Sequence, residues 1–175
     1  MEPQHTYETC LAWSLLYLAG EKPTLERELE ILGHSLRFTK KDFTIGHLEA
    51  VKKQFRKLDL FIDSDFRSEC NSVAQLRKAG NIDIHPCNVH NVIMDLFIDE
   101  AKLLPFILYV DAFVLYGYHH YPHFVVILGR KGNNVEILDP WDGRIKKVSE
   151  KELSVGMQLL KDYLGFAPRA ILTKK

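Results

Sequence analysis

Apolar residues recur along this chain in two different periods. Residues 11–19 are apolar at Leu11, Ala12, Trp13, Leu15, Leu16, Leu18 and Ala19. So many around a helix leave no polar face, and the segment reads as a buried helix. Thr6 or Thr9 can cap its start and Gly20 can stop it, which puts Cys10 in the first turn. A second helix follows from Pro23-Thr24 to Leu36, with Leu25, Leu29 and Leu32 at helical spacing. A third covers 44–55, with Ile45, Leu48, Val51 and Phe55 on one face. Residues 66–78, closed by Gly80, and residues 88–102 read as further helices. Short extended pieces are expected at 58–62 and 82–85.

After residue 104 the helical period gives way to strands. Residues 105–109 are apolar and β-prone, and 123–129 (His-Phe-Val-Val-Ile-Leu-Gly) form a strand candidate bounded by turn residues. Gly132-Asn133-Asn134 turns the chain into a returning strand over 135–138, which Asp139-Pro140 stops. Asp142-Gly143 is a hairpin turn into 144–148. Ser149 and Glu152 make a capping signature for a helix over 149–160. A last strand is expected at 169–173. The layout is an α+β domain spanning 1–175, with 24–100 a helix-rich lobe and 104–175 a lobe built on an antiparallel sheet.

Composition narrows the class. In 175 residues, 46% are hydrophobic and 26% charged, enough to build a core without disulfide staples. Lys+Arg and Asp+Glu are both 23, so there is no basic excess of the kind that nucleic-acid binding uses. The basic stretches 52–57 and 144–147 read as ordinary solvated faces. Cys10, Cys70 and Cys87 have no CxxC spacing, which argues against a zinc knuckle or disulfide framework and fits a reducing compartment. The N-terminus has no basic start followed by an apolar run, and no segment is long enough for a membrane span, so a cytoplasmic protein is expected. Oligomeric state has no signature here.

The reactive candidates are Cys10, His123 and Asp139. A thiol attacks as its thiolate, and both a helix N-terminus and a nearby imidazole favour that form. If 123–129 and 135–138 pair as a hairpin, the start of one lies beside the end of the other, and His123 neighbours Asp139. A carboxylate beside an imidazole fixes its orientation and tautomer. Gln4, six positions before Cys10, has an amide that can donate to an oxyanion together with the Cys10 backbone N–H. His119 and His120 are rivals for the base, and Asp142 for the carboxylate. The strand that begins at His123 favours that histidine.

Gln-x5-Cys at the head of a buried helix, a late His-Phe-Val-Val-Ile and then Leu-Asp-Pro-Trp-Asp-Gly together resemble the papain-like cysteine peptidases. Within that group the chain is most similar to the bacteriocin-processing peptidases that cut after a double-glycine leader. The likeness covers residues 1–20 and about 105–175. Cys10 is flanked by Thr9 and Leu11 where the family commonly has Asp and Gly. The resemblance implies Cys10 as nucleophile, His123 as general base, Asp139 as orienting group and Gln4 as oxyanion donor. It also implies a papain-like fold, a peptide or protein substrate, and no metal or organic cofactor. The same fold hosts acyl or peptidyl transferases and catalytically silent peptide-binding domains, which are the alternative readings.

Other residues carry less. His119, His120 and His123 with Asp111 raise zinc, but adjacent histidines on extended chain point opposite ways and no His-Glu-x-x-His is present. Cys70 and Cys87 read as structural, although His85 and His90 flank Cys87. Tyr109, Tyr116, Tyr118 and Tyr121 are expected to line the sheet and the loop 110–122, with packing as their first role.

Overall fold

A computed structural model of the chain describes residues 1–38, 43–66, 81–98 and 104–174. The elements in chain order are α1 (Cys10–Leu18), α2 (Leu25–Phe38), α3 (Phe43–Val51), β1 (Lys57–Asp63), β2 (Ile82–Cys87) and α4 (Val89–Ile98). Then come β3 (Phe106–Asp111), a one-turn α5 (Phe113–Tyr116), β4 (Pro122–Lys131), β5 (Asn134–Asp139), β6 (Arg144–Ser149), α6 (Glu150–Asp162) and β7 (Arg169–Lys174). The helix expected at 66–78, with Cys70, lies almost wholly outside the described residues.

One sheet organises these elements, in the order β2-β1-β7-β3-β4-β5-β6. Every neighbouring pair is antiparallel except β1 and β2, which run parallel. The sheet is therefore larger than the expected C-terminal one, because β1 and β2 from the helix-rich stretch extend it through β7. Lys57 of β1 pairs with Lys174 of β7, a contact across most of the chain that no local pattern announces.

Apolar layers cover both faces, which is what an α+β sheet needs. On one side Leu11, Leu15 and Leu16 of α1 join Leu60, Ile107 and Phe124. On the other, Val89 and Ile93 of α4 and Leu153 and Met157 of α6 join Val125 and Ile137. The buried, all-apolar reading of α1 is correct, and Leu11, Trp13, Leu15 and Leu16 are fully buried. At roughly 2–5 kcal/mol for truncating a fully buried leucine to alanine, any of these positions is indispensable to the element that carries Cys10.

Two expectations are corrected. The leucine stripe of α2 does not face the core: Leu25 and Leu29 are 44% and 45% exposed and Leu32 is only half-buried, while Glu28, Ile31 and Ser35 are buried. Polar contacts set this rotation. Glu28 accepts hydrogen bonds from both the backbone N–H and the ring of His5. Ser35 lies against Gly46 of α3 so closely that a Cβ there would sit 2.7 Å from the Ser35 Cα. Second, Thr9 occupies the N-cap position of α1 without capping it; its hydroxyl turns back to donate to the Thr6 carbonyl at 3.0 Å. The Ser149–Glu152 capping box at the head of α6 forms as expected.

Candidate functional site

Three elements meet at Cys10. The thiol stands at the first residue of α1, which packs against β4. His123 is the second residue of β4 and Asp139 the last of β5. In the β4–β5 register Val126 faces Leu138, so the start of β4 runs beside the end of β5. The hairpin argument is correct: Nε2–H of His123 donates to Oδ1 of Asp139 at 2.8 Å, and both side chains are buried. The Cys10 side chain lies close enough to His123 to favour its charged form. With Nε2 committed to the carboxylate, Nδ1 is the ring nitrogen left for the thiol.

The environment holds a charge on this imidazole. Burial alone opposes an imidazolium, but the bond to Asp139 and the contact with Cys10 outweigh it, and the His123 pKa is pushed up to about 9. Asp139 is buried as well, which disfavours its anion. The His123, Lys146 and Tyr116 contacts overcome that and hold its carboxyl well below the usual carboxylate range.

Asp139 is saturated with donors. Its Oδ1 accepts from His123 and from the Trp141 backbone N–H at 2.9 Å. Its Oδ2 accepts from the Tyr116 hydroxyl and from Lys146 Nζ, each at 2.5 Å. Burial and the adjoining carboxylate drive the Tyr116 phenol far above its ordinary range, so it remains a donor. Sequence reasoning missed both partners. Lys146 lies within the stretch 144–147 taken as a solvated face, yet Asp139 pairs with Arg144, and Lys146 is two residues on, on the same side of the β5–β6 hairpin. The argument that joined His123 to Asp139 reaches Lys146 when applied to the next hairpin. Tyr116 rides on α5, one turn in the middle of the loop 110–122 and too short to show a period.

Gln4 is tethered nearby. Its backbone N–H donates to the Pro140 carbonyl at 2.6 Å. The side-chain amide points into its own turn, Nε2 donating to the Thr6 carbonyl at 2.8 Å and to that of Tyr7 at 3.3 Å. Its Oε1 is buried with no partner among the described residues. Beside the site opens a cleft of about 390 Å³ lined by Tyr7, Tyr118, His119, His120, Tyr121 and Trp141. Tyr121 presents an edge to the His123 ring at 6.0 Å between centroids, and Tyr7 meets Trp141 edge-on at 5.5 Å.

The rivals are engaged elsewhere. His120 donates through Nδ1 to buried Asp111 at 2.7 Å, stacked between Phe113 and Tyr163. His119 meets the edge of Tyr118. Asp142 pairs with Lys146 and accepts from the Arg144 N–H. The histidines of the zinc reading thus answer to separate partners. Tyr109 is a core residue stacked on Phe124. At the sheet edge, donor atoms of Asp59, Asp83 and His85 lie within 4.8 Å of one another. His85 Nε2 meets Asp59 at 3.1 Å and Lys57 Nζ meets Asp83 at 2.5 Å, so a cation there competes with a lysine already in place.

A thiol next to a buried imidazole that leans on a carboxylate is the side-chain set of the cysteine peptidases. This chain belongs to the Peptidase C39 family, the bacteriocin-processing cysteine peptidases, whose model matches residues 52–156, more than half of its length. The matched segment includes His123 and Asp139 and begins after Gln4 and Cys10. Among solved structures the chain is similar to the Pseudomonas avirulence protein AvrPphB, at 9% identity and a TM-score of 0.43 over 96% of this chain and 92% of that one. No curated protein matches the chain. No helix among the described residues is long and apolar enough to cross a membrane.

Proposed function

We propose that this cysteine peptidase works through Cys10, His123 and Asp139, with a thioester intermediate. The observation that carries the reading is the buried His123 ring, bonded to the Asp139 carboxylate on one nitrogen, with the Cys10 side chain close enough to favour its charge. The thiol proton passes to His123, and the thiolate attacks a peptide or amide carbonyl. The oxyanion takes hydrogen bonds from the Cys10 N–H, in a first turn that no side chain caps, and from Gln4. To reach it, the Gln4 amide leaves the Thr6 and Tyr7 carbonyls. The imidazolium protonates the departing amine as the C–N bond breaks, leaving an acyl group on Cys10 Sγ. His123 then takes a proton from water, the hydroxide attacks the thioester, and the thiol is regenerated. Asp139 keeps the ring oriented throughout. No metal or organic cofactor enters these steps, and the substrate chain approaches past Tyr7, Tyr121 and Trp141.

Iodoacetamide alkylation followed by mass spectrometry tests the pair without a known substrate. At about pH 6.5 Cys10 is expected to react at least about tenfold faster than Cys70 and Cys87, and His123→Ala is expected to remove that advantage. A Cys10 no faster than the other two, and indifferent to His123→Ala, rejects the catalytic reading. Mass analysis of the acylated product then separates hydrolysis from transfer to a second amine.

A further inference from the structure

Oδ2 of Asp139 faces away from the imidazole, and two groups hold it. Lys146 Nζ lies 2.5 Å from it, 2.9 Å from the Tyr116 hydroxyl oxygen and 4.1 Å from the centroid of the Tyr116 ring. The Tyr116 hydroxyl in turn donates to Oδ2 at 2.5 Å. The three groups close a triangle in which each touches the other two. Lys146 is 23% exposed and also reaches Asp142 at 3.0 Å, so its ammonium is anchored on two carboxylates and one phenol. A buried carboxylate with one partner can rotate about its terminal torsion; one with both oxygens filled cannot.

We propose that Lys146 and Tyr116 are positioning residues of this site, a clamp that locks the Asp139 carboxylate toward His123 and draws part of its negative charge away from the imidazole. The inference rests on reading Cys10, His123 and Asp139 as the reactive set. A carboxylate shared with an ammonium stabilises an imidazolium less than an unshared one does. The clamp therefore trades basicity for geometry: the ring stays oriented, and it still releases its proton to a departing amine. The other ionisable groups around the pair are Cys10 from α1, Tyr121 from the loop before β4 and Asp142 from the β5–β6 turn. The first two face the imidazole. Among the described residues, Lys146 is the cation besides His123 that touches the carboxylate.

The sign of the effect distinguishes a charge clamp from a merely structural lysine. Removing the ammonium lets Asp139 act on His123 undiluted, so the imidazole holds its proton to higher pH. The experiment is a nuclear magnetic resonance titration of the 13Cε1-labelled histidines in the full chain, with His123→Gln assigning the signal. Wild-type His123 is expected to titrate near 9. Lys146→Met is expected to raise that midpoint by roughly half to one pH unit, Tyr116→Phe by less, and Lys146→Arg to leave it in place. An unchanged or lowered midpoint in Lys146→Met, or a shift in Lys146→Arg as large as in Lys146→Met, overturns the clamp. Asp139→Asn separates the two readings. If that variant leaves the His123 midpoint unmoved, the underlying reading fails. If it lowers the midpoint while Lys146→Met does nothing, the clamp alone fails.

Discussion

His47 and His123 are buried to the same depth, 0% and 2% exposed, and hold their protons on opposite sides of neutrality. His47 sits on α3, where its Nδ1 meets the Phe43 carbonyl at 2.9 Å and the Ser35 hydroxyl at 3.0 Å. Its Nε2 has no partner among the described residues. Neutral acceptors do not compensate for a buried charge, and burial lowers its pKa to about 4. His123 suffers the same burial but faces Asp139 and Cys10, and its pKa rises to about 9. Depth is not what sets the two rings apart; the chemistry of what each nitrogen meets is.

The comparison breaks most completely if the carboxylate is removed. Asp139→Asn leaves His123 a buried ring without its carboxylate, with the Lys146 ammonium still close by. Its titration midpoint should drop from about 9 to below the ordinary 6.5. Turnover of a peptide substrate should fall by up to about 10⁴-fold at neutral pH, the loss seen when the orienting acid of a Ser-His-Asp set is replaced by its amide. A variant that keeps both the midpoint and the rate would show that Asp139 is not what charges His123.

The two hairpins explain which parts of this site were legible in the sequence. His123 and Asp139 are sixteen positions apart, joined by a turn at Gly132 (φ +64°), so strand ends and a turn suffice to bring them together. Lys146 was equally reachable through the next turn, but its basic neighbours made it look solvated. Tyr116 has no periodic signal, because one helical turn is shorter than the pattern that reveals helices. The inward face of α2 was misjudged because leucine spacing alone cannot see that His5 and Gly46 draw Glu28 and Ser35 inward. β1 and β2 were visible as extended pieces. The place of β1 in the sheet depends on β7, more than a hundred residues on, and β2 joins through β1; pairing at that range leaves no trace in local periodicity.

Stability against pH sharpens the comparison from the other side. His47 has a folded pKa below its unfolded value of about 6.5. Its contribution is therefore complete above pH 6.5 and lost as pH falls towards 4. His123 has the opposite sign: its contribution is complete below pH 6.5 and lost as pH rises through about 9. Urea unfolding of wild type and His47→Gln should show wild type losing about 3 kcal/mol more between pH 6.5 and 4. Parallel curves for the two proteins would mean that His47 takes up its proton in the folded state as readily as in the unfolded one.

The smallest effect belongs to the pair that most resembles the site. His120 and Asp111 repeat the imidazole–carboxylate contact at 2.7 Å, and Asp111 is as buried as Asp139. What differs is the other side of the ring. His120 is 27% exposed and its faces are covered by Phe113 and Tyr163 at 4.5 and 4.2 Å, with no thiol in its contacts among the described residues. A planar amide can keep the stacking in part and still donate to buried Asp111. His120→Gln should therefore lower unfolding stability by about 1 kcal/mol. It should also leave the alkylation rate of Cys10 at about pH 6.5 within roughly twofold of wild type, because no proton of the reaction passes through it. A large fall in Cys10 reactivity in this variant would move the general base from His123 to His120, and with it the boundary between a pair that holds a loop and a pair that handles a proton.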